Sequence, residues 1–201
     1  GLWDRYPVEQ VATPEGYQRD PALVINFYNE RRKQLLEVKL NRGHELLAEL
    51  EKNFHVTVVT QNIDNLHERA GSSHIIHLHG ELTKVCSSRD PHNPHYIKEL
   101  KPEEYEVKMG DKAGDGTQLR PFIVWFGEAV PEIETAIQYV EKADIFVIIG
   151  TSLNVYPAAG LLHYVPRGAE VYLIDPKPVD THTSRSIHVI QKGASEGVAE
   201  L

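Results

Sequence analysis

Polar side chains that can do chemistry follow two short apolar runs near the middle of the sequence. Gln61, Asn62 and Asp64 come after the β-branched run His55–Thr60, and His79 follows the second run. Such runs predict buried strands, and open α/β sheets bind ligands beyond the carboxyl ends of their strands. A histidine there can accept a proton near neutral pH. The spacing thus predicts a catalytic site, although amides and a histidine in these places can also be purely structural.

Four short motifs occur in a fixed order over most of the chain. They are Thr-Gln-Asn-Ile-Asp at 60–64, His-Gly at 79–80, Val-Trp-Phe-Gly-Glu at 124–128 and Gly-Thr-Ser at 150–152. Together they resemble the sirtuins, the Sir2 family of NAD-dependent protein-lysine deacylases. The resemblance implies that NAD is consumed as a co-substrate, that acylated lysine peptides or proteins are the partners, and that nicotinamide and O-acyl-ADP-ribose are released.

The resemblance also assigns a role to individual residues. His79 is the expected general base, acting on a ribose hydroxyl. The expected cofactor-binding residues are Gln61, Asn62, Asp64, Gly150, Thr151, Ser152, Asp175 and Ala194. At position 175 the family usually has Asn, so Asp175 departs from the pattern. The expected substrate-binding residues are Ala12, Tyr28, Arg31, Val124, Trp125, Phe126, Gly127 and Glu128.

A helix that starts at Asp20-Pro21 and runs to about Leu36 places Tyr28 and Arg31 on one face. A Tyr and an Arg at this spacing resemble the pair found in class III bacterial sirtuins. Those sirtuins accept acidic acyl groups such as succinyl and malonyl. A guanidinium can bind a carboxylate through two hydrogen bonds, and a phenol can add a third. The alternative is that the arginine stem only covers apolar surface. The resemblance therefore predicts a desuccinylase or demalonylase that also accepts acetyl groups.

The segment Glu81–Arg120 is where sirtuins resembling this chain usually carry a zinc ribbon held by two cysteine pairs. Structural zinc needs four ligands, and Cys86 is the single cysteine of the chain. The sequence therefore predicts no metal and a hairpin-like flap in this segment. A substitute site made of Cys86, His92 and His95 is the alternative.

Strands alternating with helices predict an α/β fold, a doubly wound and mostly parallel Rossmann-like sheet. Residues 1–201 are expected to form a single catalytic domain, in which insertions at about 1–45 and 81–120 make a smaller lobe. The pattern predicts strands at Pro121–Phe126 and at Asp144–Ile149, the latter buried on both faces. The family has a Gly-rich loop upstream of the first matched residue, so we expect the chain to be incomplete at its N-terminus.

Composition excludes several classes of function. The net charge of −8 and the pI of about 5.8 disfavour nucleic-acid binding. No apolar run approaches the length of a membrane span, and a single cysteine suits a reducing compartment, which predicts a cytoplasmic location. Two alternatives to a deacylase stay open. One is an ADP-ribosyltransferase or NAD hydrolase, and the other is a non-catalytic module that binds NAD or ADP-ribose.

Overall fold

A computed structural model describes residues 5–201, in which helices and strands alternate. The α-helices are α1 (Val8–Val11), α2 (Pro14–Arg19), α3 (Pro21–Leu35), α4 (Arg42–Glu49), α5 (Leu66–Ala70), α6 (Ile133–Val140) and α7 (Ala194–Val198). The strands are β1 (Val58–Thr60), β2 (Ile75–His77), β3 (Gly80–Ser87), β4 (Lys98–Glu99), β5 (Leu119–Ile123), β6 (Ile145–Ile149), β7 (Glu170–Ile174) and β8 (His188–Ile190). Helices made of 3₁₀ turns lie at Leu50–Lys52, Pro94–Tyr96, Pro102–Glu104 and Ala158–Tyr164. Among residues 5–201, no helix has both the length and the apolar character needed to cross a membrane.

The chain folds into two compact units. The first contains the described residues up to Lys39, together with Asn62–Asn65 and His79–Pro131. The second contains Leu40–Gln61, Leu66–Leu78 and Glu132–Leu201. The chain therefore passes from the second unit to the first at two of the predicted motifs, directly after Gln61 and directly before His79.

Every strand pair in the second unit is parallel. β1 pairs with β2, and β7 lies between β6 and β8 in a three-stranded sheet. The α/β class and the parallel pairing are confirmed, whereas the hydrogen bonds join these strands as two sheets rather than one. The prediction that β6 is buried on both faces is wrong. β6 forms an edge of its sheet, so Ile145 stays 45% exposed, while Val171, Leu173 and Ile174 of the central strand β7 are buried.

The first unit combines helix α3 with an antiparallel sheet. α3 begins at the predicted residue because the Asp20 carboxylate accepts the Leu23 N–H at 3.2 Å and Pro21 opens the first turn. β3 pairs with β4 on one side and with β5 on the other. Ile25 of α3 packs against Val85 of β3 and against Val107, forming a buried apolar cluster. Residues 81–120 thus fold onto α3 as a three-stranded sheet, which extends the predicted hairpin.

Candidate active site

His79, the predicted general base, lies in the turn that connects β2 to β3. It is half-buried, and its backbone carbonyl accepts the Val124 N–H at 2.9 Å. The next residue must be glycine for two reasons. Gly80 has a φ of +89°, and a Cβ atom there would lie 2.1 Å from the Phe122 carbonyl oxygen. The space beside Gly80 is therefore filled by β5 and leaves no room there for a ligand to approach the backbone.

The predicted substrate segment, Val124–Glu128, is a turn rather than a strand. β5 ends at Ile123 instead of Phe126. Glu128 then folds back: its side chain accepts the Trp125 N–H at 2.8 Å, and its own N–H donates to the Trp125 carbonyl at 3.0 Å. Gly127 permits this turn because its φ is +92°. Local backbone chemistry therefore ends the strand earlier than the apolar pattern predicts.

Two of the predicted substrate residues are joined by their backbones. The Phe126 N–H donates to the Ala12 carbonyl at 3.0 Å. Ala12 itself is buried, whereas the Phe126 side chain is 61% exposed. An exposed aromatic ring at the tip of a fixed turn is available for contact with another molecule.

Tyr28 is a fully buried residue whose hydroxyl makes two hydrogen bonds. It donates to the Val11 carbonyl at 2.9 Å and accepts from the Trp125 indole Nε1 at 3.0 Å. Burial is the main cause that raises the pKa of Tyr28 to about 12, so the phenol stays protonated. A phenol has a single proton to donate, and here Val11 accepts it. Tyr28 therefore joins helix α3 to Val11 and Trp125. Its hydroxyl could donate to a ligand only by releasing the Val11 carbonyl.

Arg31 follows Tyr28 by three residues on α3. Its side chain is half-buried, and its guanidinium carbon lies 5.9 Å from the centre of the Phe27 ring. Burial lowers the pKa of Arg31, and the neighbouring Tyr28 partly opposes that effect. Arginine remains charged at physiological pH even so. Arg31 is therefore a partly desolvated cation beside the buried Tyr28.

The first unit also contains Asn62 and Asp64. The intervening Ile63 carbonyl accepts the Leu82 N–H at 2.8 Å, which fastens this short segment to β3. Asn62 is exposed and Asp64 is half-buried. The structure therefore places both residues in the same unit as His79.

The remaining predicted cofactor residues lie in the second unit, at the carboxyl ends of its parallel strands. Gly150 follows β6, and its N–H donates to the Ile174 carbonyl at 3.0 Å. Asp175 follows β7, and its N–H donates to the Ile190 carbonyl at 3.2 Å. Neighbouring strands thus end at the same level, which brings the residues after β6 and β7 to one edge of the sheet, as the sequence predicts.

A side-chain hydrogen bond joins two further predicted residues at this level. The Gln61 amide nitrogen, after β1, lies 3.2 Å from the Thr151 hydroxyl, after β6. Thr151 also accepts the Leu153 N–H at 3.2 Å, while Ser152 is exposed. Ala194 is the first residue of α7 and is half-buried. The two parallel sheets of this unit are therefore linked through Gln61 and Thr151.

Sequence reasoning missed Arg120, a buried residue in β5. It forms an ion pair with Glu128, a predicted substrate residue, and its guanidinium carbon lies 3.8 Å from the centre of the Trp125 ring. A charged residue within the apolar run Leu119–Ile123 was the available signal, because a buried charge needs a partner. The apolar pattern predicts instead an ordinary strand that begins at Pro121.

Comparisons with known proteins agree with these motifs. A family model described as "Sir2 family" matches residues 1–157. The chain belongs to the Sir2 family. An NAD-dependent protein deacylase of Bacteroides thetaiotaomicron is 94% identical over all 201 residues, which span 86% of that protein. A Helicobacter pylori protein of the same name is 47% identical, and the chain spans 85% of it.

Solved structures of Sir2 proteins have the same fold as this chain. A Sir2 homologue in complex with NAD has a TM-score of 0.85 and 35% identity, and the match covers all of this chain and 78% of the other. A mutant Sir2 homologue in complex with ADP ribose also has a TM-score of 0.85, with 34% identity and coverage of 100% and 80%. The sirtuin resemblance and the Sir2-like α/β fold are therefore confirmed.

Residues of this Sir2 chain do not fit the zinc ribbon that the resemblance implies. Cys86 is fully buried in β3, and burial raises the pKa of its thiol to about 12, whereas zinc binds the thiolate. Its sulfur lies 3.7 Å from the Pro121 carbonyl oxygen. His92 and His95, the other members of the substitute site, are exposed. The structure therefore gives no support to a site made of these three residues.

Hydrogen bonds instead close the segment that would hold the second cysteine pair. The Ser87 hydroxyl, fully buried at the end of β3, donates to the Asp115 carboxylate at 2.5 Å. The same carboxylate accepts the hydroxyl of Thr117 at 2.7 Å and its N–H at 3.1 Å. The Ser87 hydroxyl oxygen also accepts the N–H groups of Arg89 and Asp90. Asp115 thus joins its own turn to β3 through side-chain oxygens rather than through a metal.

We expect Asp115→Asn to lower the melting temperature by a few degrees, because it removes a charged acceptor of three hydrogen bonds. The hydrogen bond from Ser87 is the main cause that lowers the pKa of Asp115 from 3.8 to about 2. The stabilisation is therefore present above about pH 4 and lost as the pH falls toward 2. Thermal melts of both proteins between pH 2 and pH 7 measure the difference.

Glu103→Gln is the matched control, since it removes an exposed carboxylate from the 3₁₀ helix Pro102–Glu104 of the same unit. It should leave the melting temperature unchanged, and a chelator should do the same to the native protein. One zinc per chain by elemental analysis, with a melting temperature that falls on chelation, would contradict the expectation of a metal-free segment.

Proposed function

We propose that this protein is an NAD-dependent protein-lysine deacylase that favours acidic acyl groups and also accepts acetyl groups. The observation that carries the proposal is the hydrogen bond from Val124 to the His79 carbonyl. It fixes the expected general base to the first residue of the expected substrate segment, within a chain of the Sir2 family. The deacylase names of the Bacteroides and Helicobacter relatives support the same activity.

We propose that the NAD co-substrate binds at the carboxyl ends of the parallel strands in the second unit. Its residues fit the ligand, because hydroxyls and backbone N–H groups at strand ends suit phosphate and ribose oxygens. The residues offered there are Gln61, Gly150, Thr151, Ser152, Asp175 and Ala194. For Asn62 and Asp64, which lie in the first unit, the sirtuin resemblance implies a role toward the nicotinamide ribose and amide. NAD supplies a ribose that accepts the acyl group when nicotinamide leaves. The solved complexes of Sir2 homologues with NAD and with ADP ribose support this assignment.

The turn Val124–Glu128 is proposed to bind the peptide that carries the acylated lysine. Four of its five N–H groups, all but that of Gly127, are seen to donate within the protein, to His79, Glu128, Ala12 and Trp125. A bound peptide would therefore donate its own N–H groups to the carbonyl oxygens of the turn. Such main-chain pairing tolerates many peptide sequences. Ala12, which is small and joined to Phe126, would leave room for the acyl chain.

His79 is proposed to take the proton from the ribose hydroxyl that attacks the acyl carbon. An imidazole has a nitrogen that can accept a proton near pH 7, and it needs a fixed position to do so. The turn between β2 and β3 supplies that position, because the Val124 N–H holds the His79 carbonyl and the next residue, Gly80, lies tightly against Phe122. In the same proposal, residues 1–201 make a single catalytic domain in which segments of about 1–45 and 81–120 are insertions. The cytoplasmic location stays a prediction from the single cysteine.

Nicotinamide release separates the proposed function from its two alternatives. We expect release from NAD to require an acyl-lysine peptide and to match the deacylated peptide one for one. Release of nicotinamide without any peptide would instead indicate an NAD hydrolase. Transfer of labelled ADP-ribose from NAD to protein would indicate an ADP-ribosyltransferase. Binding of NAD without release would indicate a non-catalytic module. Chromatography of products from the purified protein measures all of these.

A further inference from the structure

The buried side chain of Arg120 contacts two residues of the proposed peptide-binding turn, Trp125 and Glu128. We propose that Arg120 is a positioning residue for the acyl-lysine substrate: it fixes the Val124–Glu128 turn and, through Trp125, the side chain of Tyr28. This inference rests on the proposed deacylase function. It assigns a task to a residue that belongs to none of the four sequence motifs.

The Arg120 guanidinium is almost completely withdrawn from solvent, with 4% of the residue exposed. Its two terminal nitrogens bind the two carboxylate oxygens of Glu128, at 3.0 and 3.1 Å. The same group donates to the Ile123 carbonyl at 2.7 Å and to the Pro121 carbonyl at 3.2 Å. Arg120 therefore ties the last residues of β5 to the far end of the turn that follows.

The same guanidinium also fixes the side chain at the start of the turn. It stacks on the Trp125 ring at 3.8 Å, a distance typical of a strong cation–π contact. The Trp125 indole in turn donates to the Tyr28 hydroxyl, which donates to the Val11 carbonyl. Buried contacts thus run from Arg120 through Trp125 to the helix that carries Arg31.

A role in stability alone does not account for this choice of residue. A buried ion pair adds little net stability, and apolar side chains of similar volume often replace one without loss. The geometry is what only arginine supplies, because a planar fork can bind a carboxylate through two nitrogens and stack on an indole at the same time. Lysine keeps the charge but has one nitrogen and no plane. The Arg120→Lys variant therefore separates geometry from charge.

The experiment compares Arg120→Lys, the double variant Arg120→Met/Glu128→Gln and the native protein. The double variant removes both charges, so no carboxylate stays buried without its partner. For both variants we expect a KM for the acyl-lysine peptide that rises roughly tenfold or more, with kcat changed by less than about threefold. The KM for NAD should stay unchanged, because the contacts of Arg120 all lie within the first unit.

Arg32→Lys is the matched control. Arg32 is a second buried arginine of the first unit, and it donates to the Leu82 carbonyl at 2.7 Å and to the Tyr105 carbonyl at 2.9 Å. The control therefore loses stability in the same unit without touching the peptide-binding turn. An equal rise in KM in the control and in Arg120→Lys would overturn the proposal and make Arg120 a stability residue.

Trp125 gives a readout that does not depend on activity. The chain has two tryptophans, so a Trp3→Phe background leaves Trp125 as the single source of tryptophan emission. We expect the emission to shift to longer wavelength in both Arg120 variants and to stay unchanged in Arg32→Lys. An unchanged emission together with a native KM would overturn the proposal. A native protein that does not deacylate peptides refutes the proposed function, and the emission then still decides whether Arg120 fixes Trp125.

Discussion

We expect His79→Ala to lower the turnover of acyl-lysine peptides by about 10²- to 10⁴-fold, the range that a general base contributes. The fold should survive, because the Val124 N–H is accepted by the His79 backbone carbonyl and not by the imidazole. In the proposed reaction, nicotinamide leaves before His79 acts. Exchange of labelled nicotinamide into NAD should therefore persist in the variant while formation of free lysine is lost. Product analysis at saturating NAD measures both quantities.

His95→Ala is the control for this experiment, because His95 is exposed in the 3₁₀ helix Pro94–Tyr96 of the same unit. It should deacylate at the native rate. A folded His79→Ala protein with nearly native turnover would remove His79 from the mechanism. Loss of nicotinamide exchange together with deacylation would place His79 in NAD binding instead.

Elements with strong local signals could be predicted from the sequence almost to the residue. Asp20 and Pro21 give helix α3 its start, and the predicted strand Asp144–Ile149 differs from β6 by a single residue. The apolar pattern predicts the end of β5 three residues too late. Ile123 to Phe126 continue the apolar pattern, but the Glu128 side chain captures the Trp125 N–H and turns the chain. Boundaries set by a side chain elsewhere in the sequence carry no periodic signal.

Burial of charge is the part of the site that the sequence could not reveal. Arg31 and Arg32 are neighbours, and helical spacing alone pointed to Arg31 as the one beside Tyr28. The structure buries Arg32 instead, because its guanidinium reaches carbonyls that are 50 and 73 residues away in sequence. Such partners are fixed only when the sheet of the first unit packs on α3. The same reason hides Arg120, whose ring contact with Trp125 depends on the turn at Gly127.

The acyl preference should depend on Arg31 far more than on Tyr28. Arg31 is a half-buried cation, and hydrogen bonds to charged groups contribute about 1.5–3 kcal/mol. We therefore expect Arg31→Met to lower kcat/KM for a succinyl-lysine peptide roughly tenfold to a hundredfold. The acetyl-lysine form of the same peptide has no carboxylate to lose and should change much less. The decisive quantity is the ratio of the two specificity constants at saturating NAD.

Two variants on the same helix make this ratio interpretable. Lys33→Met removes an exposed positive charge and should leave the ratio at its native value. Tyr28→Phe removes a hydroxyl whose proton already binds the Val11 carbonyl, so it should weaken both substrates together through packing. If Arg31→Met lowers both specificity constants equally, as Tyr28→Phe does, Arg31 acts in packing and the protein is a plain deacetylase. If Tyr28→Phe alone shifts the ratio, the phenol releases Val11 when substrate binds and is the group that recognises the carboxylate.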